Sequence, residues 1–397
     1  MLSLSMLVRD EAVRIEAALA SVAGFVDEMV VLDTGSRDDT IAIARRCGAR
    51  VHSLPWPGDF APARNHALEL VRGDWVLVLD ADERLRPEAR DPLRQLMREP
   101  DLLLITLLRE EIGAAQSPYS CVSRLFRRHP AITWSGAYHA MVDDSVSRLL
   151  EQESHWRISQ CPEPALLHTG YSAERLADGG KARRLRQAME NDLRERPGNP
   201  YSSAKLGALL VAEGERRRGL MLLRQGLAAC PAEAAPERFE LLLHLAIALT
   251  PEDAAEAAAL YRQALALPLD QRLTLAARLN LATLELERGS LDAAAALCRE
   301  ATLAAPSIAQ AWNQLGLVER RRGRIRDAIT AYGEALGLDP DLAATHQNLA
   351  VAQLLGGDIA GCRSSFRRAI QLLRDQGRMA EAAALEQQAA TMVRLNG

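Results

Sequence analysis

The chain has 397 residues, 48% of them hydrophobic and 25% charged, a composition typical of soluble globular proteins with two or three domains. Its net charge of −4 and its 4% of aromatic residues exclude the basic surface and stacking platforms of most nucleic-acid-binding proteins, so we expect no nucleic-acid partner. Six cysteines without a Cys-x-x-Cys pair exclude a zinc ribbon and a dithiol redox motif, and indicate a reducing compartment.

The first residues predict a buried strand and not a signal peptide. The apolar run 2–8 has no basic segment before it and leads directly into Arg9, Asp10 and Glu11. The longest apolar run, 241–249, is far too short to cross a bilayer. We therefore expect a cytoplasmic protein without a transmembrane segment.

Short apolar runs alternate with longer amphipathic ones up to about residue 108. This pattern predicts strands at 2–8, 28–32, 50–54 and 75–79, and helices at 11–22, 38–47 and 61–71. The β-α-β-α order is typical of right-handed crossovers and a mostly parallel, Rossmann-like sheet. From about residue 110 to 171 the periodicity weakens, and no elements are predicted there. Such irregular stretches often supply lids and acceptor sites.

Internal repeats follow the Arg-Pro-Gly-Asn-Pro segment at 196–200. Pro306 precedes Pro340 by one period of the 34-residue tetratricopeptide repeat, and Trp312, Gly316 and Tyr332 fit its spacing. Further copies lie at 206–231, 281–306 and 346–369, with a degenerate one at 242–268. We predict an α/β domain at 1–190, a linker at 191–200, an all-α repeat solenoid at 201–375 and a capping helix at 376–397.

Two carboxylates directly follow the predicted strand 75–79. Asp80 and Asp82 lie one residue apart and therefore reach the same point beyond the strand. Oxygen ligands of this kind suit a hard divalent cation such as Mg²⁺ or Mn²⁺. An ordinary Asp-x-Asp loop is the alternative.

Two more segments carry polar groups at strand or helix ends. After the strand 28–32, the Asp33 carboxylate can accept a hydrogen bond from a nucleobase imide, Gly35 allows close backbone approach and Ser36 can cap the next helix. Arg64 and Asn65 fall in the first turns of the helix 61–71, where Arg64 can clasp a diphosphate. The alternatives are a capped strand–turn–helix junction and a solvated surface arginine.

Together these motifs resemble the family-2 glycosyltransferases of GT-A fold, closest to a bacterial subgroup in which the transferase precedes tetratricopeptide repeats. The segments Met6–Glu11, Arg124–Arg127, His168–Tyr171 and Lys181–Arg184 match further parts of that pattern in order and spacing. The resemblance covers residues 1–190 and implies that Asp80-Ala81-Asp82 binds the metal. The predicted donor-nucleotide site comprises Asp10, Glu11, Asp33, Gly35, Ser36, Arg64, Asn65 and Lys181.

One departure from the subgroup concerns the acceptor. The usual Gly-x-x-His-Glu is Gly136-Ala137-Tyr138-His139-Ala140 here, so the expected acid/base glutamate is missing. His139 is the candidate base, with Asp82 as a second catalytic residue. Other carboxylates that could fold into this space are Glu110, Glu111, Asp143 and Asp144. A thiol acceptor, which needs the base less, and an inactive domain are the remaining alternatives.

Three aromatic or imidazole side chains have two interpretations each. His168 either completes the metal shell with Asp82 or touches the donor diphosphate, as the resemblance suggests, or it packs between the apolar pair Leu166-Leu167 and Tyr171. Trp134 and Tyr138 either form a platform on which the acceptor sugar stacks or belong to the core.

The sequence thus predicts a metal-dependent, hexosyl-transferring enzyme that uses a nucleoside-diphosphate sugar, most simply a UDP-sugar. The resemblance implies inversion at the anomeric carbon. The acceptor is a protein, a peptide or a cell-surface glycan, and the repeats bind the acceptor or a partner protein. The alternative function is an interaction scaffold with an inactive transferase domain. A nucleotidyltransferase is disfavoured, since no glycine-rich, lysine-bearing loop follows the first strand.

Overall fold

The computed structural model describes residues 1–114, 117–136, 140–170 and 179–394, without the side chains of 179–182 and 184. The chain divides into two compact units, Met1–Leu209 and Leu210–Gly397. The first is an α/β domain and the second is entirely helical in its described part. Both classes agree with the prediction. None of the described helices is long and apolar enough to span a membrane.

One eight-stranded sheet organises the first unit, in the order β3-β2-β1-β4-β7-β6-β8-β5. Its strands are β1 (Leu2–Val8), β2 (Glu28–Asp33), β3 (Arg50–Ser53), β4 (Trp75–Val78), β5 (Glu83–Leu85), β6 (Leu102–Glu111), β7 (Tyr119–Arg127) and β8 (Arg157–His168). Neighbours β1–β4, β1–β2, β2–β3 and β6–β8 pair in parallel, whereas β5 and β7 run antiparallel to the rest. The carboxyl ends of six strands therefore meet at one edge of the sheet.

Helices cover both faces of this sheet. They are α1 (Ile15–Val22), α2 (Thr40–Arg46), α3 (Phe60–Leu70), α4 (Arg90–Leu96), α5 (Asp143–Gln152) and α6 (Gly179–Glu195), with a 3₁₀ turn at Pro87–Ala89. Alternate residues of β4 point to opposite faces of the sheet and pack into the hydrophobic core on each face. Trp75 and Leu77 pack with α1, α2 and α4, while Val76 packs with α3 and α5. A strand buried on both faces explains the continuous apolar run in this part of the sequence.

Helix α1 begins at Ile15, four residues later than predicted. Asp10 has a left-handed backbone (φ 54°), and the next two N–H groups are held by the loop after β2. The Glu11 N–H donates to Thr40 Oγ1 at 2.8 Å and the Ala12 N–H to Asp38 Oδ2 at 3.0 Å. These bonds take the donors that a longer helix would leave free, so the helix starts beyond them.

The segment for which no elements were predicted forms β7, α5 and β8, and β6 ends within it. β8 carries Pro162 and Pro164, and its pairing with β6 shifts register in several places. Prolines and bulges of this kind remove the strict alternation by which a strand is detected in a sequence.

Helices continue from residue 200 to the end of the described chain, and those from residue 235 onward pack in pairs. They are α7 (Pro200–Ala212), α8 (Arg216–Ala229), α9 (Ala235–Leu249), α10 (Ala254–Leu265), α11 (Leu275–Glu287), α12 (Leu291–Ala304), α13 (Ala309–Arg321), α14 (Ile325–Leu338), α15 (Ala343–Leu355), α16 (Ile359–Asp375) and α17 (Met379–Met392). Left-handed Gly289, Gly323 and Gly357 end the first helix of three successive pairs. In α17, Leu385 and Ala389 pack on Phe366 of the preceding helix and complete its apolar cluster.

Gly316 sets the distance between α13 and α14, and its replacement gives a test of this packing. A Cβ added there would lie 2.5 Å from the ring of Tyr332, which is fully buried. We expect Gly316→Ala to destabilise the repeats by about 1–3 kcal/mol, because a packed core accommodates extra volume only with strain. The midpoint of thermal unfolding, followed by circular dichroism, measures this effect.

Gly333→Ala is the matched control in α14, since a Cβ at that exposed position meets nothing within 4 Å. It should stabilise the helix by about 0.5–1 kcal/mol, through the lower backbone entropy of alanine in the unfolded chain. An unfolding midpoint for Gly316→Ala equal to or above that of Gly333→Ala would contradict the described helix packing.

Candidate functional site

Charged side chains from five strands and one helix gather at the carboxyl edge of the sheet. We call them the edge network: Arg64, Asp80, Asp82, Glu83, Arg109, Glu111, Arg124 and His168. They meet because β4, β6 and β8 end here while β5 begins here, and β7 passes between β4 and β6. The network is thus a consequence of strand order and not of proximity in the sequence.

Asp80 lies between two arginines. Arg64 Nη2 donates to its Oδ1 and Arg124 Nη2 to its Oδ2, both at 2.7 Å. Burial raises the pKa of Asp80, but the guanidinium groups of Arg124 and Arg64 outweigh this and hold that pKa well below its usual range. Both carboxylate oxygens are therefore engaged. For Asp80 to bind a metal as predicted, one oxygen must use its second lone pair or leave its arginine.

Arg64 is not the solvated surface residue of the alternative interpretation. Its side chain is only 10% exposed, and its guanidinium lies 4.8 Å from the ring centre of Trp134, close enough for a cation–π contact. Arg124 was quoted in a sequence motif but received no predicted role. Its Nη1 is buried and has no hydrogen-bond partner among the residues that the structure describes.

His168 links two carboxylates. Its Nε2 lies 3.3 Å from Asp82 Oδ2, and its Nδ1 is hydrogen-bonded to Glu111 Oε2. Burial lowers the pKa of His168, but the bonds to Asp82 and Glu111 outweigh burial and raise it to about 9. The structure therefore brings His168 beside Asp82.

Gly170 fits against this pair. A Cβ at position 170 would lie 2.4 Å from the His168 imidazole and 3.4 Å from Asp82 Oδ2. The Thr169 N–H also donates to the Asp82 carbonyl at 3.0 Å, which ties the end of β8 to the start of β5. Glycine is required at this position of the His-Thr-Gly motif for a steric reason, because only glycine leaves room for the imidazole beside Asp82.

Behind His168 lies a buried ion-pair system. Arg109 contacts both Glu83, which is fully buried, and Glu111. The Ser120 hydroxyl donates to Glu111 as well. Glu111 was predicted only as a possible base, and Glu83 and Arg109 were not predicted at all. The register could have indicated Glu111, since it pairs directly with His168 between β6 and β8.

The predicted nucleoside-binding residues lie at the ends of β1 and β2. The buried Asp33 carboxylate accepts from the N–H groups of Gly35 (3.0 Å) and Ser36 (3.1 Å), and Gly35 has φ 106°. Ser36 Oγ accepts from the Asp10 N–H at 2.9 Å, which joins the two loops. These contacts agree with a capped turn and leave lone pairs on Asp33 for a ligand.

Two of the predicted site residues have contacts that support the fold. Asn65 bonds the backbone of Trp134 twice, through its Oδ1 (2.8 Å) and Nδ2 (3.1 Å). Trp134 is 5% exposed and packs edge-to-face on Phe126, which favours the core interpretation of this residue over an exposed platform for a sugar. Asn65 thereby holds the loop that carries Trp134.

The predicted residues Tyr138 and His139 lie outside the described residues, as does the side chain of Lys181. Three carboxylates proposed for the acceptor space have partners in the described structure. Glu110 pairs with Arg86, Asp143 accepts from Ser123 Oγ at 2.7 Å and Asp144 from Ser135 Oγ at 2.8 Å.

Within the described residues, no group of three or more His, Cys, Asp or Glu side chains is arranged to hold a metal ion. Mg²⁺ sites that bind phosphate substrates use about one or two carboxylates and complete their shell with phosphate oxygens and water. Asp82 and His168 offer one carboxylate and one imidazole, so the donor set fits a cation bound jointly with a phosphate ligand.

Comparisons with known proteins show which families the two parts of the chain resemble. A family model described as Glycosyl transferase family 2 matches residues 3–158, and one described as TPR repeat matches residues 316–357. An uncharacterized glycosyltransferase of Rickettsia felis is 30% identical over 184 residues, which are 44% of this chain and 64% of that protein. The solved structure of YrrB, a TPR protein with an unusual peptide-binding site, is 16% identical, with a TM-score of 0.40 over 51% of this chain and 99% of its own.

A further relative spans nearly the whole chain. A TPR repeat-containing protein of Synechococcus elongatus is 43% identical over 376 residues, which are 94% of this chain and 93% of that protein. The two parts of the chain therefore occur together in a relative of similar length. On these grounds the chain belongs with the TPR repeat-containing relative of similar length, and its residues 3–158 form a domain of glycosyl transferase family 2.

Proposed function

We propose that this glycosyltransferase moves a hexosyl group from a nucleoside-diphosphate sugar to its acceptor with the help of Mn²⁺ or Mg²⁺, and with inversion at the sugar carbon. The observation that carries the proposal is the edge network. It places a carboxylate–imidazole pair, Asp82 and His168, next to two buried arginines. A cation and a diphosphate are the ligands that such a combination recognises together.

Asp82 and His168 would hold the cation. Asp82 Oδ2 and His168 Nε2 lie 3.3 Å apart, so that one cation could contact both atoms. When bound, the cation neutralises the charge that develops on the departing diphosphate. The imidazole ligand favours Mn²⁺ over Mg²⁺, since Mg²⁺ prefers oxygen.

Arg64 and Arg124 supply positive charge beside this pair. Each uses one nitrogen for Asp80, and Asp80 thereby keeps both guanidinium planes in place. The buried, unpartnered Nη1 of Arg124 offers a donor to a diphosphate oxygen. We therefore assign Asp80 a part different from that of Asp82: it orients the arginines, while Asp82 binds the cation.

The nucleoside would lie over the ends of β1 and β2. Asp33 can accept the imide N–H of uracil, which makes a UDP-sugar the simplest donor. The left-handed Gly35 permits close backbone approach, while Asp10 and Glu11 border the same loops. Asp33, Gly35 and Ser36 act through a loop that is already ordered by its own hydrogen bonds.

The acceptor is a protein, a peptide or a cell-surface glycan, and the repeats hold it or a partner protein. His139 is the candidate base. The scaffold alternative, in which the transferase domain is inactive, is favoured by one feature: Ala140 stands where the family pattern that this chain resembles has a glutamate. The contact between Asp82 and His168 favours an active enzyme, because an inactive domain does not require a site for the cation.

Thermal unfolding tests the proposed binding of nucleotide and metal. UDP with Mn²⁺ should stabilise the protein much more than either alone, by about 2.7 kcal/mol at 100 times the dissociation constant. For a domain of this size that corresponds to a rise of roughly 5–10 °C in the unfolding temperature. Asp82→Asn should abolish the effect of Mn²⁺ while leaving a weak response to UDP alone.

Hydrolysis of a UDP-sugar measured in the same samples tests catalysis itself. Exposed Asp91→Asn is the control, since it removes one carboxylate far from the edge network. Stabilisation by UDP that is the same with Mn²⁺ and with EDTA would contradict the proposed metal site. A metal-dependent shift without any turnover, across the common donors, would support the scaffold.

Another prediction concerns the contribution of Asp80 to stability. Asp80→Asn should destabilise the metal-free protein by about 1–3 kcal/mol, because it leaves two largely buried guanidinium groups without their carboxylate. This loss of stability is smaller than for a fully buried ion pair, because the Asp80 side chain is 35% exposed. Urea unfolding in EDTA gives the free energy.

An Asp80 that served mainly as a metal ligand would behave in the opposite way. Without metal, its removal would relieve repulsion from Asp82 and Glu83, and the protein would become more stable. Asp91→Asn again serves as the control, because its exposed pair with Arg94 contributes at most about 0.5 kcal/mol.

A further inference from the structure

Glu111 lies behind His168, on the side opposite Asp82. It ends β6 directly across from His168 in β8, and only 4% of its side chain is exposed. Its two carboxylate oxygens have separate partners. Oε1 accepts from Arg109 Nε at 2.9 Å and from the Ser120 hydroxyl, while Oε2 is bonded to His168 Nδ1. The carboxylate is therefore fixed by β6 and β7, with one oxygen aimed at the imidazole of β8.

This arrangement determines how the imidazole can bind. With Nδ1 held by Glu111, only Nε2 remains to face Asp82. Gly170 restricts the ring from another side, since a single added carbon would overlap it. Metal-binding histidines commonly donate their second N–H to a carboxylate, which fixes the tautomer and the ring orientation and makes the other nitrogen a better ligand.

We propose that Glu111 is a positioning residue for the cation site, holding His168 so that Nε2 and Asp82 Oδ2 form one binding pair. The inference rests on the proposed function, in which this pair binds Mn²⁺ with the donor. Glu111 does not touch the donor itself. Its carboxylate is bonded to Arg109, Ser120 and His168, so we no longer count it among the candidates for the acceptor base.

The test measures Mn²⁺ binding to the full chain by electron paramagnetic resonance, with and without UDP. Glu111→Gln removes the charge but keeps the shape of the side chain. We expect it to weaken Mn²⁺ binding in the presence of UDP by about 10–100-fold. Binding of UDP in EDTA, followed by calorimetry, should stay within about twofold of wild type, since the loss concerns only the metal.

Glu110→Gln is the matched control. It makes the same change one residue earlier on β6, at a side chain that is 12% exposed and pairs with Arg86 instead of His168. Its Mn²⁺ affinity should equal that of wild type. A purely structural Glu111 would lower the unfolding temperature of Glu111→Gln but leave the Mn²⁺ affinity of the folded protein unchanged, and that result would overturn the inference.

Two further outcomes are decisive. If Glu111→Gln does not fold, Glu111→Asp replaces it, because aspartate keeps the charge but withdraws the carboxylate from Nδ1. Unchanged Mn²⁺ affinity in Glu111→Asp then refutes the positioning role, and a weaker one supports it. If wild-type protein binds Mn²⁺ no better with UDP than without it, the proposed function fails. A wild-type response that persists in Glu111→Gln rejects the inference alone.

Discussion

The cost of burying charge determines the architecture of this site. Carboxylates at the end of a buried strand are stable only if cations and hydrogen-bond donors surround them. Asp80 satisfies this condition with Arg64 and Arg124, one at each oxygen. Glu83 and Glu111 satisfy it with Arg109. The sheet brings these partners together, since its order places β7 between β4 and β6 and lays β8 beside β6. The fold and the charge network are therefore mutually dependent.

The two aspartates of Asp80-Ala81-Asp82 consequently have different surroundings. Asp80 faces guanidinium groups and is tied into the fold, whereas Asp82 faces an imidazole that is itself held from behind. The two carboxylates look equivalent in the sequence motif, but the neighbouring strands give them different partners. This inequality supports assigning the cation to Asp82 and His168, and the orientation of the arginines to Asp80.

Much of the fold could be predicted from sequence, because β1 to β4 and the repeats have strong local periodicity. The bounds of β1 to β4 agree with the structure to within one residue, whereas α1 begins four residues late, where the side chains of Asp38 and Thr40 take the first N–H groups. β8 was not predicted, since its prolines and bulges disrupt alternation. The partners of Asp80 and His168 lie 16, 44 and 57 residues away. Spacing along the chain carries no signal for such contacts, and only strand order reveals them.

Charge balance also favours joint binding of cation and donor. The four carboxylates of the edge network, Asp80, Asp82, Glu83 and Glu111, face three arginines and His168. Positive and negative groups are already matched, so a lone divalent cation would add uncompensated charge to a largely buried site. A lone diphosphate would do the same with the opposite sign. Binding of the cation to His168 Nε2 requires the proton on that nitrogen to leave. Four carboxylates and three arginines then leave one net negative charge, to which a divalent cation and a doubly negative diphosphate together add none. The balance of these side chains thus favours a donor that arrives as its metal complex.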